Sequence, residues 1–346
     1  MRSRIARCLV LLCTALTATR SWGADSETSG TGLRNGIVFS EYTSLSSGAE
    51  LIRRLFSPLQ AARTTERATR LGANLNAQAI DLTAERFSIY VPSRAAPPGG
   101  YSLLVFVPPW PAAVVPRKWV SVLGSHAMIF ATAANSGNQV NTVGRREPLA
   151  LLAVHNVMTR YPVDAQHVYI GGFSGGSRVA LRLALGYPDI FHGALLNAGS
   201  DAIGTADNPL PPAELFSRFQ ESTRLVYVTG EHDDANLDND SRSRRALKQW
   251  CVFGVVTEDE PGKGHEPMDH SMLNRSLEVL LEPMQPVADR LADCRKRVAA
   301  ELTAQLRQAQ EALARGERAA ARRLLDEIDA RYGGLAAPYT VELSAQ

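Results

Sequence analysis

Gly172-Phe173-Ser174-Gly175-Gly176, at the middle of this 346-residue chain, is its most informative segment. It matches G-x-S-x-G and lies between a β-branched, strand-like run at 166–170 and a run with helical periodicity at 177–185. At such a junction the serine adopts a strained backbone, and the glycines allow the strand and the helix to approach closely. An ordinary glycine turn is the alternative. The flanking runs favour a nucleophile elbow with Ser174 as the nucleophile.

The central part of the chain alternates strand-like and helix-like segments. Alternation of this kind predicts an α/β fold with a mainly parallel sheet and helices on both faces, and it places a site at the carboxyl ends of the strands. The predicted strands are 87–91, 102–107, 128–131, 166–170, 193–199, 224–229 and 252–257, and the predicted helices are 146–161, 177–185, 213–220 and 240–250. Together they form a main domain at 85–284.

Both ends of the chain differ in composition from this domain. Residues 1–24 combine arginines, an apolar run and small residues, which predicts a signal peptide and a secreted or periplasmic protein without a permanent membrane anchor. Residues 25–84 are predicted to be an N-terminal extension that is flexible up to residue 35 and partly helical beyond it. In residues 285–346 apolar side chains recur every three or four positions, which predicts a C-terminal helical hairpin. Packing on the main domain is the simpler role for this hairpin, and binding of a protein partner is the alternative.

Charge and cysteine content narrow the possible classes of protein. Lys and Arg number 37 and Asp and Glu 35, so the net charge of +2 does not indicate a nucleic-acid-binding protein. Cleavage of the signal peptide leaves only Cys251 and Cys294. In an oxidising compartment the two can pair, and we hypothesise a disulfide from the main domain to the hairpin. Two separate buried thiols are an equal alternative.

A serine nucleophile needs a base, and the base needs a group that orients it. In chains with an elbow of this type, the acid and then the histidine follow the serine in sequence. Asp233 and Asp234 follow the strand at 224–229, and His265 lies in a glycine-containing loop after the next strand. His265 is therefore the candidate base. The spacing does not decide between Asp233 and Asp234 as the acid, and Glu231 is a weaker third candidate.

An oxyanion hole needs two N–H donors, one of them from the residue after the nucleophile. Gly175 holds that position. The second donor is expected in the loop after residue 107, where positions 108, 109 and 111 are prolines without an N–H. Trp110 or Ala112 must then donate.

Two patterns resemble metal sites but fail in detail. Residues 234–240 have the spacing of the first ligands of a calcium loop, but Asn239 replaces the required glycine and Arg245 the bidentate glutamate. The H-E-x-x-x-H stretch at 265–270 has one residue more between its histidines than the zinc-binding helix motif, and it contains Pro267. We predict neither a metal nor a cofactor.

These motifs resemble those of the α/β-hydrolase superfamily, and within it those of secreted serine esterases of the polyhydroxybutyrate-depolymerase and feruloyl-esterase types. The resemblance covers about residues 85–281 and rests on the segments 163–164, 168–176, 230–233 and 262–265. It implies an enzyme that cleaves small-molecule or polymeric carboxylic esters, with Ser174 as nucleophile, Asp233 as acid and His265 as base. Such enzymes usually carry a His-Gly pair where this chain has the proline-rich loop. A serine peptidase on the same fold, or a catalytically silent protein that binds a partner through the hairpin, are the alternatives.

Overall fold

An eight-stranded sheet forms the centre of the computed structural model, which describes residues 30–284 and 287–346. The predicted signal peptide lies outside the described residues. The strands follow the order β1-β2-β4-β3-β5-β6-β7-β8; β2 pairs antiparallel with β1 and β4, and the remaining neighbours are parallel. The strands are β1 (Gly32–Ile37), β2 (Phe87–Val91), β3 (Tyr101–Val107), β4 (Met128–Ala133), β5 (Val163–Phe173), β6 (Gly193–Asn197), β7 (Arg224–Gly230) and β8 (Val255–Glu260).

Helices connect the strands and form the C-terminal part of the described chain. They are α1 (Gly48–Leu55), α2 (Pro58–Arg70), α3 (Val120–Ser125), α4 (Glu147–Arg160), α5 (Gly175–Gly186), α6 (Ala213–Ser222), α7 (Asp234–Gln249), α8 (His270–Leu281), α9 (Ala288–Ala314), α10 (Arg318–Tyr332) and α11 (Tyr339–Ser344). Within the described ranges, none of these helices has both the length and the apolar character needed to cross a bilayer.

Helices cover both faces of the sheet, and β3 shows how. Leu103 and Val105 belong to one apolar core, with α4 and α5, whereas Leu104 and Phe106 belong to a second core, with α3 and α8. Successive side chains of a strand point to opposite faces, so a strand buried on both sides is apolar throughout. This strand order, with the sharp turn between β5 and α5, is that of the α/β-hydrolase fold. The predicted fold class is confirmed.

The C-terminal hairpin is present as α9 and α10, which pack on each other and on the rest of the molecule. A disulfide joins Cys251, just after α7, to Cys294 on α9. The carboxylate of Asp329 on α10 accepts hydrogen bonds from the N–H of Leu59, at 2.9 Å, and from the hydroxyl of Ser57. These two donors lie at the N-terminus of α2, where unpaired N–H groups and the helix dipole favour a negative charge. Helices α2 and α10 are therefore in direct contact.

The sequence did not predict α3, α8 or α11, and it placed the last strand about three residues too early. Two further differences have a physical reason that the structure shows. The segment up to residue 35 was predicted to be flexible, but residues from Gly32 onward form β1. This strand forms because the free edge of β2 offers hydrogen-bond partners. A polar, glycine-containing segment does not show in its own sequence that it will pair in this way. The helix predicted at 240–250 begins six residues earlier, at Asp234. Its first turns have no apolar stripe, because the side chains that are buried there, Asn236 and Asp240, are polar, so this part looks like a loop in sequence.

Candidate active site

Ser174 lies at the sharp turn between β5 and α5. Its backbone has a φ of 55° and a ψ of −122°, a conformation that residues with a side chain rarely adopt. The N–H of Ser174 donates to the carbonyl oxygen of Asn197 at the end of β6, at 2.9 Å. The strand, the helix and this hydrogen bond together hold the strained turn, which exposes the serine at the carboxyl edge of the sheet.

Two glycines allow the turn to pack. A Cβ atom at position 172 would lie 2.3 Å from the carbonyl carbon of Gly176, and one at position 176 would lie 1.9 Å from the carbonyl oxygen of Val107. Both distances are far below van der Waals contact. Gly172 and Gly176 are therefore required by the close approach of backbone that the sequence pattern predicts.

The structure brings Ser174, His265 and Asp233 into one hydrogen-bonded chain. Nε2 of His265 lies 3.0 Å from Oγ of Ser174, and Nδ1 lies 2.6 Å from Oδ2 of Asp233. A carboxylate at Nδ1 places the ring proton there, which leaves the lone pair of Nε2 to accept from the serine hydroxyl. The side chain of Asp233 is 7% exposed and that of His265 is 44% exposed. The acid is thus buried, while the base is open to solvent.

The other two acid candidates do not contact His265. Asp234 is the exposed first residue of α7. Oε2 of Glu231 accepts the N–H of Gly262 at 2.8 Å and so holds the loop that carries His265. Of the three acids that the spacing left open, Asp233 is the one that the fold places at the imidazole.

Asn236 is a further member of the site, which the sequence placed only in a calcium-like pattern. Its Nδ2 lies 2.9 Å from each carboxylate oxygen of Asp233, and the residue is 9% exposed. A donor shared by both oxygens fixes the plane of the carboxylate and stabilises its negative charge. Asn236 stands three residues after Asp233 at the start of α7, and neighbours at that spacing share a helix face. This spacing was the signal that could have identified it.

Contacts from other elements fix the loop that carries His265. The N–H of His232 donates to the carbonyl oxygen of Lys263 at 2.8 Å, and the N–H of Met268 donates to Oδ1 of Asn197 at 3.0 Å. The ring of Phe173 stacks on the imidazole with 4.9 Å between centroids. The loop predicted from its glycines is therefore held at both ends, and its histidine rests on the residue before the nucleophile.

The two predicted oxyanion donors lie beside the elbow. Gly175 is the first residue of α5, so its N–H belongs to the unpaired donors of a helix N-terminus. Trp110 lies in the loop after β3, and its indole is 6.0 Å from the ring of Phe173. The loop after β4 packs against its backbone, since a Cβ atom at position 137 would lie 2.7 Å from the carbonyl carbon of Trp110. Ala112, the alternative donor, is exposed further along the loop.

Arg146 holds the loops after β3 and β4 together. Its Nε donates to the carbonyl oxygen of Ser136 at 2.8 Å and its Nη2 to that of Pro108 at 3.0 Å. The residue is buried, and this burial lowers the pKa of its guanidinium to about 10. The neighbouring carboxylate of Glu147, fully buried, pairs with Arg182 at 2.9 Å. Buried charges persist when they are compensated in this way, so a paired buried cluster supports the loops beside the nucleophile.

Ser174 is half-buried and lies outside the main cavities described for this structure. Five cavities of about 210 to 910 Å³ border the helices around the sheet, and neither Ser174 nor Asp233 nor His265 lines any of these five. Within residues 30–284 and 287–346, no three His, Cys, Asp or Glu side chains converge on a position for a metal ion. The described site itself offers serine, imidazole, carboxylate and amide groups.

No family model matches this chain, and no curated protein matches it. Solved structures do. Acetyl xylan esterase from Aspergillus awamori is 16% identical, with 57% of this chain and 95% of that one covered and a TM-score of 0.43. S-formylglutathione hydrolase from Staphylococcus aureus is 14% identical, with 56% and 90% covered and a TM-score of 0.41. A putative dipeptidyl aminopeptidase IV from Bacteroides ovatus is 16% identical, with a TM-score of 0.42; 56% of this chain is covered, but the match spans only 32% of the peptidase. At such identities the likeness concerns the fold.

Proposed function

We propose that this chain is a serine hydrolase that cleaves carboxylic esters through an acyl-enzyme. The observation that carries the proposal is the unbroken series of hydrogen bonds from Ser174 through His265 to the buried Asp233, with distances of 3.0 and 2.6 Å. A serine hydroxyl is a weak nucleophile until a base accepts its proton. A neutral imidazole whose Nδ1–H is bound to a carboxylate is such a base.

In the first half of the reaction, Nε2 of His265 takes the hydroxyl proton while Oγ of Ser174 bonds to the ester carbonyl carbon. The electron pair of the C=O bond moves to the oxygen, and the N–H groups of Gly175 and Trp110 stabilise this oxyanion. When the C=O bond re-forms, the alcohol leaves with the proton from Nε2. Water then loses a proton to the same nitrogen and attacks the acyl-enzyme, which releases the acid and restores Ser174.

The proposal includes an exported protein, secreted or periplasmic, that acts on small or polymeric esters. The signal-peptide pattern of residues 1–24 supports export, and so does the disulfide between Cys251 and Cys294, because such bonds persist in oxidising compartments. The exposure of His265 supports a substrate whose bulk remains outside the protein. The acyl and alcohol groups are left to substrate profiling, since loop shape determines specificity.

A fluorophosphonate probe tests the nucleophile. We expect the probe to label the wild-type protein at Ser174 and Ser174→Ala to take up none, because only a serine activated by a base reacts. Ser271→Ala, which removes an exposed hydroxyl at the start of α8, is the matched control and should be labelled like the wild type. Equal labelling of Ser174→Ala would exclude the proposal.

Paired substrates with the same acyl group distinguish an esterase from the two alternatives, a serine peptidase and a catalytically silent protein. We expect a p-nitrophenyl ester to be turned over and the corresponding peptide anilide to be turned over far more slowly. Faster cleavage of the anilide would identify a peptidase. A folded protein that is neither labelled nor active would support the silent fold, and its partner should then be lost on deletion of residues 286–346.

A further inference from the structure

The loop after β3 is poor in the N–H donors that an oxyanion needs. Prolines occupy positions 108, 109 and 111, and Trp110 stands alone between them. The carbonyl oxygens of this loop face the loop after β4: that of Pro109 accepts the N–H of Asn138 at 2.9 Å, and that of Pro111 accepts the N–H of Asn135 at 2.6 Å. Residues 135–138 therefore run alongside the place where the second donor is expected.

The side chain of Asn138 lies directly against the residue that follows the nucleophile. A Cβ atom at position 175 would lie 2.1 Å from Oδ1 and 2.9 Å from Nδ2 of Asn138. Asn138 is exposed, and across residues 30–284 and 287–346 its side-chain amide forms no hydrogen bond. The site thus contains a free carboxamide in contact with Gly175, the first oxyanion donor.

We propose that Asn138 is a catalytic residue of this site, whose Nδ2 donates a hydrogen bond to the oxyanion beside the N–H of Gly175. The inference rests on the proposed ester hydrolysis. The terminal torsion of asparagine is broad, so rotation of the amide brings Nδ2 to the open side of the site. In serine hydrolases both backbone N–H groups and side-chain carboxamides serve as hydrogen-bond donors to the oxyanion. Asn138 thereby supplies the donor that the prolines of the loop after β3 cannot.

The backbone around Asn138 keeps this donor in place before the reaction. The N–H of Asn138 is bonded to Pro109, and Arg146 bonds to the carbonyl oxygen of Ser136 two residues earlier. Because this backbone is fixed, only the side-chain torsions of Asn138 are ordered when charge develops on the substrate oxygen. Because the bond strengthens only as the oxyanion forms, its loss lowers kcat and leaves KM nearly unchanged.

Three variants test the assignment in the full-length protein with a p-nitrophenyl ester. Asn138→Ala removes both donors, and we expect kcat to fall about 100-fold or more while KM changes less than about threefold. Asn138→Asp keeps the shape of the side chain but places a carboxylate against the oxyanion, so its kcat should be at least as low. Gln139→Ala, which removes a second exposed amide from the same loop, should retain the wild-type kcat.

The outcomes separate catalysis from packing and from failure of the proposed function. A wild-type kcat in Asn138→Ala or Asn138→Asp overturns the assignment, and high activity of the aspartate variant alone would show that Asn138 only fills space. Thermal unfolding midpoints show whether the alanine variant is folded, and if it is not, the aspartate variant decides. Failure of the proposed function looks different, because the wild type would then show neither ester turnover nor a fluorophosphonate label at Ser174.

Discussion

At the residue scale, Asp233 and Asp234 are neighbours in sequence with opposite environments. Asp233 is buried and lies within hydrogen-bond distance of both His265 and Asn236, whereas Asp234 is exposed at the first position of α7. A carboxylate can fix the tautomer of an imidazole only when it is held at Nδ1. The two positions therefore offer a matched test of the acid.

We expect Asp233→Asn to lower kcat/KM for an ester by about 10³- to 10⁴-fold, because the amide favours the wrong tautomer of His265. Asp234→Asn should stay within about twofold of the wild type, since its charge lies on the solvent side of α7. Initial rates of ester hydrolysis, with circular dichroism as the control for folding, measure both. Equal losses in the two variants would contradict the assignment of Asp233.

The residues of the site differ in how far sequence could predict them. Ser174 and His265 stand in local patterns, because glycines must surround a strained turn and a loop of close approach. Asp233 could not be separated from Asp234, because one step along the chain turns a carboxylate from the core to the solvent. Asn138 acts through a contact with another element, which a pattern within one segment does not record, whereas Asn236 could have been identified from its spacing of three residues from Asp233.

At the element scale, prediction succeeded for the strands of the sheet interior and failed at its edge. Strand β3 and residues 168–173 of β5 are apolar because helices cover both of their faces, and this burial is visible in composition. Strand β1 is polar and short, and its conformation depends on pairing with β2, some 55 residues further on. The start of α7 was missed for a related reason, since the buried side chains of its first turns are polar.

Helix α1 is held to the end of α5 by charged groups. The guanidinium of Arg54 is buried and donates to Asp189 at 2.6 Å and to the carbonyl oxygen of Gly186 at 3.3 Å. Glu50 accepts from Arg53 at 2.9 Å and from Arg54 at 2.8 Å. The hydrogen bond from Arg53 is the largest cause that holds the pKa of Glu50 at about 2, with Arg54 adding to it against the opposing effect of burial.

We expect Glu50→Gln to lower the free energy of unfolding by about 1 to 2 kcal/mol at neutral pH. The full pKa shift would correspond to a larger free energy, but water screens the charge because Glu50 is partly exposed. A carboxylate whose pKa is depressed in the folded state stabilises fully above its unfolded value of 4.5, and the effect is lost as the pH falls towards 2. Urea unfolding at pH 7, 4 and 2.5 measures this difference.

Glu66→Gln is the control for this pH dependence, since its ion pair with Arg70 is exposed on both sides and contributes about 0.5 kcal/mol at most. A difference between wild type and Glu50→Gln that stays constant from pH 7 to pH 2.5 would contradict the role of the Glu50 charge.

At the scale of the whole molecule, a disulfide bond links the hairpin to the sheet domain. The bond between Cys251 and Cys294 closes a loop of 43 residues in the unfolded chain. Closing a loop of this size lowers the entropy of the unfolded state, which corresponds to about 4 kcal/mol of stability in the loop-entropy model.

We expect Cys294→Ser to lower the free energy of unfolding by about 2 to 4 kcal/mol, measured by urea denaturation without reductant. Dithiothreitol should bring the wild type to the stability of the variant and leave the variant itself unchanged. Esterase activity should survive in the folded variant, because the bond lies away from Ser174. Two titratable thiols in the denatured, unreduced wild type would show that the bond does not form.

The contact of Asp329 with the N-terminus of α2 can form only late in the synthesis of the chain. The two partners of the Leu59 hydrogen bond are 270 residues apart, and a nascent chain emerges from its N-terminal side. Helix α2 is therefore made long before the carboxylate that caps it. We expect α2 to gain this cap only when α10 has emerged, whereas α1 can pack on the end of α5 before then, because its partner Asp189 is made much earlier.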